Sequence, residues 1–239
     1  SSKILHEIAN HSDIIELGIP FSDPAGDGPV IEEASKRAIA NGMTLQKTLQ
    51  MATEFGTTND STPLILMGYY NSFLKYGLGK FFTDAKSSGV DGLIIVDLPL
   101  EERHEIYGEL KNSSLSLINL ISPLSSEERI KEIVDEEYSS GFLYLVSMLG
   151  ITGTKDANPK DNAGILSKIR KCSNLPVVIG FGIKTPQIAK GFKEINPDGI
   201  VVGSTIVKEI ADNFNDKKSR EELVKNAVSK AKEFNEAIK

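Results

Sequence analysis

The sequence has one cysteine, no tryptophan and only three histidines among its 239 residues. The single cysteine, Cys172, excludes a disulfide within the sequence and a cysteine-based metal cluster, and it predicts a reducing, cytoplasmic location. We expect no metal site, because His6, His11 and His104 have no second ligand at metal-binding spacing. We also expect no membrane partner, since neither a secretory signal nor an apolar run of membrane-spanning length is seen.

The sequence also has fewer basic than acidic residues. The 27 lysines and arginines are outnumbered by 33 aspartates and glutamates, which gives a formal net charge of −6. An excess of acid argues against a nucleic-acid partner and against binding to anionic lipid. Any anionic ligand must therefore be held locally.

Short apolar runs alternate with helical patterns along the chain. The runs are apolar on successive residues, which is typical of strands covered on both faces, and the alternation predicts parallel pairing through right-handed crossovers. The predicted strands are residues 13–20, 63–70, 92–99, 115–123, 141–149, 176–183 and 199–205.

These strands predict a single α/β domain over residues 1–239 with the architecture of a (β/α)8 TIM barrel. The seven predicted strands are one fewer than the expected number of about eight. We therefore expect the first strand to be absent, with a gap between the strands of Asp13 and Gly199. An open doubly wound sheet is the alternative, although its glycine signature would follow the first strand.

An acidic loop follows the first predicted strand. Residues 16–29 read ELGIPFSDPAGDGP and contain Glu16, Asp23 and Asp27. A carboxylate at the end of a buried strand needs a partner or a chemical role. Glu16 is therefore either catalytic or paired with a lysine or a helix N-terminus, while Asp23, directly before Pro24, is most simply a turn residue.

Two glycine pairs follow the last two predicted strands. Gly180-Phe181-Gly182 ends one strand, and Gly203-Ser204 follows the other and directly precedes a helix. In β/α barrels a phosphate is often bound at these loops by backbone N–H groups and a helix N-terminus. Together the two glycine pairs predict a phosphate site, to which Gly153, in a long lid-like loop, could add a third N–H. A single glycine pair at the end of a strand is more often only a turn.

The segments ELGIPFSDPAGDGP, LMGYYN, IIVDLP, GITG, GFGI and VVGS occur in this order and together resemble the tryptophan synthase α subunit family. The resemblance implies a lyase of tryptophan biosynthesis that cleaves indole-3-glycerol phosphate to indole and glyceraldehyde 3-phosphate, with no cofactor or metal. The residues that it places in the site are catalytic Glu16 and Asp27, Tyr144 and Phe181 at the indole, Thr152 in the lid, and Gly153, Gly182, Gly203 and Ser204 at the phosphate.

The resemblance also implies a partner, the pyridoxal-phosphate β subunit or a fused β domain, in an α2β2 complex. Ala25-Gly26 is smaller than the Leu-Ala pair usual in the family, and Met148-Leu149 replaces a common arginine and its neighbour. Two alternatives remain open. One is a catalytically impaired α-like subunit that binds and activates a β partner; the other is a different phosphate-sugar barrel enzyme, such as an isomerase.

Overall fold

The computed structural model describes residues 2–135, 139–147 and 157–239. The strands are β1 Ile15–Gly18, β2 Leu64–Gly68, β3 Gly92–Ile95, β4 Ser116–Ile121, β5 Ser139–Val146, β6 Val177–Gly180 and β7 Gly199–Ile200. The α-helices are α1 Ser2–Ala9, α2 Pro29–Ala40, α3 Leu45–Gly56, α4 Tyr70–Tyr76, α5 Leu78–Ser87, α6 Tyr107–Ser113, α7 Glu127–Asp135, α8 Pro159–Cys172, α9 Pro186–Gly191, α10 Ser204–Asn215 and α11 Arg220–Ile238. Short 3-10 helices cover Leu100–Glu105 and Phe192–Glu194.

The strands follow one another across the sheet in chain order, from β1 to β7. β1 pairs in parallel with β2, β2 with β3 and β3 with β4, and β6 pairs in parallel with β5 and β7. Parallel neighbours joined by helices confirm the predicted α/β class.

The internal contacts divide the chain into two compact units. The first comprises Ser1–Gly26 and Glu32–Leu117, and the second comprises Asp27–Ile31 and Ile118–Lys239. The first unit has an aromatic core in which the ring of Phe81 lies 4.4 Å from that of Phe73 and 5.5 Å from that of Phe82. The second buries Leu143, Ile179 and other aliphatic side chains completely. A single domain over residues 1–239 stays a prediction.

Several helices begin where their sequences carry a capping residue. Thr44 accepts a hydrogen bond from the Lys47 N–H at the start of α3, and Thr185 does the same for Ile188 ahead of α9, which has proline at its first position. Ser219 and Glu222 form a reciprocal capping box at the start of α11. Local chemistry thus sets these helix starts.

The second predicted strand ends earlier than its sequence pattern indicates. β2 stops at Gly68, and α4 begins at Tyr70, which was expected to be the end of the strand. The Asp97 carboxylate explains the change, because it accepts a hydrogen bond of 2.7 Å from the Tyr70 N–H at the first turn of α4. Asp97 thus braces the start of this helix.

In each unit, an aspartate directly before the glycine that opens a strand bonds to the first residue of the neighbouring strand. Asp91, just before β3, accepts a hydrogen bond of 2.8 Å from the N–H of Leu64, the first residue of β2. Asp198, just before β7, accepts one of 2.8 Å from the N–H of Val177, the first residue of β6. Each carboxylate therefore satisfies the first backbone donor of a buried strand.

Among the described residues, no helix combines the length and apolar character needed to cross a bilayer.

Replacing Asp91 with alanine should lower the free energy of unfolding by about 1–2 kcal/mol, because the Leu64 N–H loses a charged acceptor. Urea denaturation of the variant and the wild type measures the difference. Asp60→Ala is the matched control, since Asp60 is an exposed acid in the loop before β2 and should change stability by less than about 0.5 kcal/mol. Equal effects of the two substitutions would contradict the role of Asp91.

Candidate active site

Glu16 is the second residue of β1 and is half-buried. Its register partner on β2 is Ile65, so the two side chains lie on the same face of the sheet. The adjacent Ile15, on the opposite face, is 7% exposed. Glu16 is thus fixed by a strand of the first unit rather than by a mobile loop.

The loop after β1 is anchored to Tyr69. The rings of Phe21 and Tyr69 stack with centroids 5.1 Å apart, and the Gly26 N–H donates to the Tyr69 hydroxyl at 3.1 Å. A β-carbon at Gly26 would lie 3.3 Å from a methyl carbon of Val96. Tyr69 therefore holds both ends of residues 21–26.

Next to Tyr69, the hydroxyl of Tyr70 donates to a Glu105 carboxylate oxygen at 2.5 Å. Burial, together with this bond, raises the pKa of the Tyr70 phenol above its ordinary value. Tyr70 therefore stays neutral and serves as a donor.

Asp27 lies directly after this anchored loop and groups with the second unit. It is 9% exposed, which is unusual for an aspartate, and Pro29 begins α2 two residues later. Asp23 is exposed and accepts a hydrogen bond from the Ser22 hydroxyl, as a turn residue would. Asp27 is thus buried and Asp23 is exposed, and the sequence likewise predicts different roles for these two acids.

Tyr144 and Phe181 lie together in the second unit. Tyr144, in β5, is 4% exposed, and its ring meets that of Phe181 edge to face with centroids 6.0 Å apart. A β-carbon at Gly180 would lie 1.9 Å from the Tyr144 hydroxyl oxygen. The Tyr144 ring therefore crosses the backbone of β6 at a point where only glycine fits.

The backbone turns left-handed directly after Gly180. Phe181 has φ +74° and Gly182 has φ +71°, although positive φ is uncommon for a bulky residue. The N–H of Ser147 donates to the Gly180 carbonyl at 2.9 Å, and the Ser147 hydroxyl donates to the Phe181 carbonyl. Hydrogen bonds from the end of β5 thus hold the Gly180-Phe181-Gly182 turn.

Gly203 and Ser204 stand at the N-terminus of α10. Gly203 is the N-cap residue and offers no side-chain hydrogen bond, and Ser204 opens the helix. The Thr205 hydroxyl donates to the carbonyl of Ile183 at 3.4 Å, which ties this helix start to the loop after β6. Uncapped N–H groups and the helix dipole make such a terminus favourable for an anion.

Comparison with protein-family models shows which family the chain belongs to. A family model described as "Tryptophan synthase alpha chain" matches residues 1–239. The chain belongs to the tryptophan synthase alpha chain family.

Relatives and solved structures support this membership. The tryptophan synthase alpha chain of Petrotoga mobilis is 46% identical over 205 residues, covering 86% of this chain and 78% of that one. That of Phenylobacterium zucineum is 43% identical over 228 residues, covering 95% and 80%. The crystal structure of the alpha subunit from Legionella pneumophila superposes with a TM-score of 0.89 at 34% identity, covering 99% of this chain and 86% of that chain. These likenesses confirm the β/α-barrel class.

Two residues that the family resemblance places in the site, Thr152 and Gly153, lie outside the described residues, as do Met148 and Leu149. The roles of all the predicted site residues in this alpha chain stay predictions. The structure adds Phe21 and Ser147, which the sequence did not single out. Ser147 had one local signal, since it is a polar residue inside the apolar run of residues 141–149.

A group of possible metal ligands lies away from the predicted residues. Ligand atoms of Glu102, His104 and Glu105 lie within 4.8 Å of one another, so His104 has neighbours that its sequence spacing did not reveal. All three are exposed, and Glu105 already accepts the Tyr70 hydroxyl. Among the described residues, nothing else at this surface points to an ion.

Gly180→Ala should lower the free energy of unfolding by about 1–3 kcal/mol, because the new methyl group overlaps the Tyr144 ring. In a Tyr144→Ala background the same change should cost less than about 1 kcal/mol, since the overlap is gone. A double-mutant cycle by urea denaturation measures this coupling.

Gly203→Ala is the control for this cycle, because a β-carbon there meets no atom of the described residues within 4 Å and φ is −108°. Its stability should stay close to that of the wild type. If the two substitutions changed the free energy of unfolding additively, the methyl group added at Gly180 would not overlap the Tyr144 ring, and the explanation would be contradicted.

Proposed function

We propose that this chain is a carbon–carbon lyase that cleaves indole-3-glycerol phosphate to indole and glyceraldehyde 3-phosphate. The observation that carries the proposal is the second unit's combination of an aromatic pair, Tyr144 and Phe181, with the glycine turn after β6 and the open N-terminus of α10. Such a combination suits a ligand with a flat apolar ring at one end and a phosphate at the other. Membership of the tryptophan synthase alpha chain family supports the same substrate.

The proposed reaction needs two proton transfers. A proton added to indole C3 gives a cationic indolenine, and removal of the proton from the hydroxyl on the adjacent side-chain carbon lets the carbon–carbon bond break. The bonding electron pair returns to the ring, and the side chain leaves as the aldehyde of glyceraldehyde 3-phosphate. A carboxyl group held in a partly buried position can serve as both acid and base.

Glu16 is proposed for the proton transfers, because β1 fixes its position and its side chain is partly shielded from water. Asp27 is proposed to bind the indole N–H and stabilise the cationic intermediate, which a buried carboxylate does more strongly than an exposed one. Thr152 is proposed as the lid residue, and Gly153, Gly182, Gly203 and Ser204 as phosphate contacts. These roles need no metal or cofactor in this chain.

A β subunit that consumes the indole is the proposed partner, in an α2β2 complex, and pyridoxal phosphate is expected there alone. A solved relative from Pyrococcus furiosus, with a TM-score of 0.84 and 32% identity, is described in a study of mutual activation of the tryptophan synthase a2b2 complex. It covers 98% of this chain and 90% of that chain. The predicted cytoplasmic location fits such a biosynthetic enzyme.

Glu16→Gln should lower kcat for indole-3-glycerol phosphate cleavage by about 10²- to 10⁴-fold, because glutamine can neither donate nor accept the transferred proton. Release of indole, measured with and without an added β subunit, reports the rate. Asp23→Asn is the control, since Asp23 is an exposed turn residue of the same loop.

The outcomes separate the candidate functions. Undiminished cleavage by Glu16→Gln would remove Glu16 from the mechanism. A wild-type chain that leaves the substrate intact but raises the turnover of the β subunit would support the impaired, partner-activating alternative. Isomerisation of a phosphate sugar without indole release would support the alternative of a different phosphate-sugar barrel enzyme.

A further inference from the structure

Ser147 is a buried polar residue at the carboxyl end of β5 that has no part in the proton transfers. It is 6% exposed. A buried hydroxyl must form hydrogen bonds to offset its loss of water, and its partners show which groups it holds in place.

The partners of Ser147 are two successive carbonyl groups of the turn after β6. Its N–H donates to the Gly180 carbonyl at 2.9 Å, which extends the pairing of β5 and β6 by one residue. Its hydroxyl donates to the next carbonyl, that of Phe181. The first bond belongs to the sheet and any residue other than proline would form it, whereas the second requires a side chain with a donor.

The second bond fixes the direction of a neighbouring N–H. In a trans peptide the carbonyl and the following N–H are coplanar and point to opposite sides. With the Phe181 carbonyl turned toward Ser147, the Gly182 N–H points away from Ser147. Gly182 is buried, its own carbonyl accepts a 3.0 Å bond from the Ala157 N–H, and its N–H donates to no acceptor within residues 2–135, 139–147 and 157–239.

Rotation of the Phe181–Gly182 peptide changes ψ of Phe181 and φ of Gly182. Because glycine adopts either sign of φ readily, the φ of +71° at Gly182 does not by itself prevent this rotation. Such a rotation would break the hydrogen bond from Ser147 and turn the Gly182 N–H away. The hydroxyl of Ser147 thus opposes the change that would remove the donor.

We propose that Ser147 is a positioning residue for phosphate binding, whose hydroxyl fixes the Phe181–Gly182 peptide so that the Gly182 N–H meets a phosphate oxygen. The inference deepens the proposed function, because it assigns the selection of a phosphate ester to the same site. It gives Ser147 no contact with the substrate.

Calorimetric titration of the full chain with glycerol 3-phosphate and, separately, with indole tests the proposal. Ser147→Ala should weaken binding of glycerol 3-phosphate by about tenfold or more and binding of indole by less than about twofold. Ser147→Thr keeps the hydroxyl and should bind glycerol 3-phosphate within about threefold of the wild type. Equal weakening of both ligands, or unchanged binding of glycerol 3-phosphate, would overturn the proposal.

Ser113→Ala is the matched control. Ser113 is another buried serine, 5% exposed, whose hydroxyl donates to a backbone carbonyl, that of Leu110, at 2.9 Å. It belongs to the first unit and should affect stability without changing either affinity. A similar loss of glycerol 3-phosphate binding in Ser113→Ala would reduce the role of Ser147 to general stability and contradict the proposal.

A measurement on the wild type keeps the proposal falsifiable if Ser147→Ala does not fold. The Gly182 amide resonance in a ¹H–¹⁵N spectrum should shift on addition of inorganic phosphate, whereas the amide of Gly89, in a turn of the first unit, should not. An unmoved Gly182 resonance under saturating phosphate would overturn the proposal.

Different results would contradict the lyase function and the positioning role of Ser147. A wild-type chain whose affinity for glycerol 3-phosphate depends on the Ser147 hydroxyl, but which releases no indole from indole-3-glycerol phosphate, contradicts the lyase function and supports the positioning role. A chain that cleaves the substrate with the same KM in Ser147→Ala and the wild type contradicts the positioning role alone.

Discussion

The left-handed backbone at Phe181 and Gly182 is the constraint on which the candidate site of the second unit depends. Holding a phenylalanine at φ +74° costs of the order of 1–3 kcal/mol, so the conformation persists only where the surrounding bonds require it. Those bonds come from Ser147 on one side and Ala157 on the other. The turn places the Phe181 ring against Tyr144, and within the described residues it leaves the Gly182 N–H without an acceptor.

The three glycines of this region are needed for different physical reasons. Gly180 lacks room for a β-carbon because the Tyr144 ring crosses it, and Gly182 needs its positive φ. Gly203 has neither restriction within the part of the chain that the structure describes, since its φ is −108° and a β-carbon there would meet no described atom within 4 Å. A ligand that approaches the backbone would supply a reason for glycine at Gly203 that these described contacts do not.

The sequence predicted the strand order and the places of the glycine turns, because apolar runs and glycine pairs are local features that survive in the folded chain. It misjudged the end of β2, since the bond that starts α4 comes from Asp97, 27 positions away. The anchoring of Gly26 by Tyr69 and of Phe181 by Ser147 likewise join residues 43 and 34 positions apart. Such contacts depend on which strands become neighbours, and no local pattern contains that information.

The proposed way of holding phosphate also fits the charge of the protein. A chain with a net charge of −6 gives no general attraction to an anion, so binding must come from N–H groups whose directions are fixed before the ligand arrives. Neutral donors and a helix terminus keep their positions when the phosphate leaves, whereas long basic side chains would have to be ordered again at each turnover. If the phosphate end is held in this way, its binding energy can position the distant indole ring for proton transfer. The rigidity of the Phe181–Gly182 peptide would then contribute to catalysis although neither residue transfers a proton.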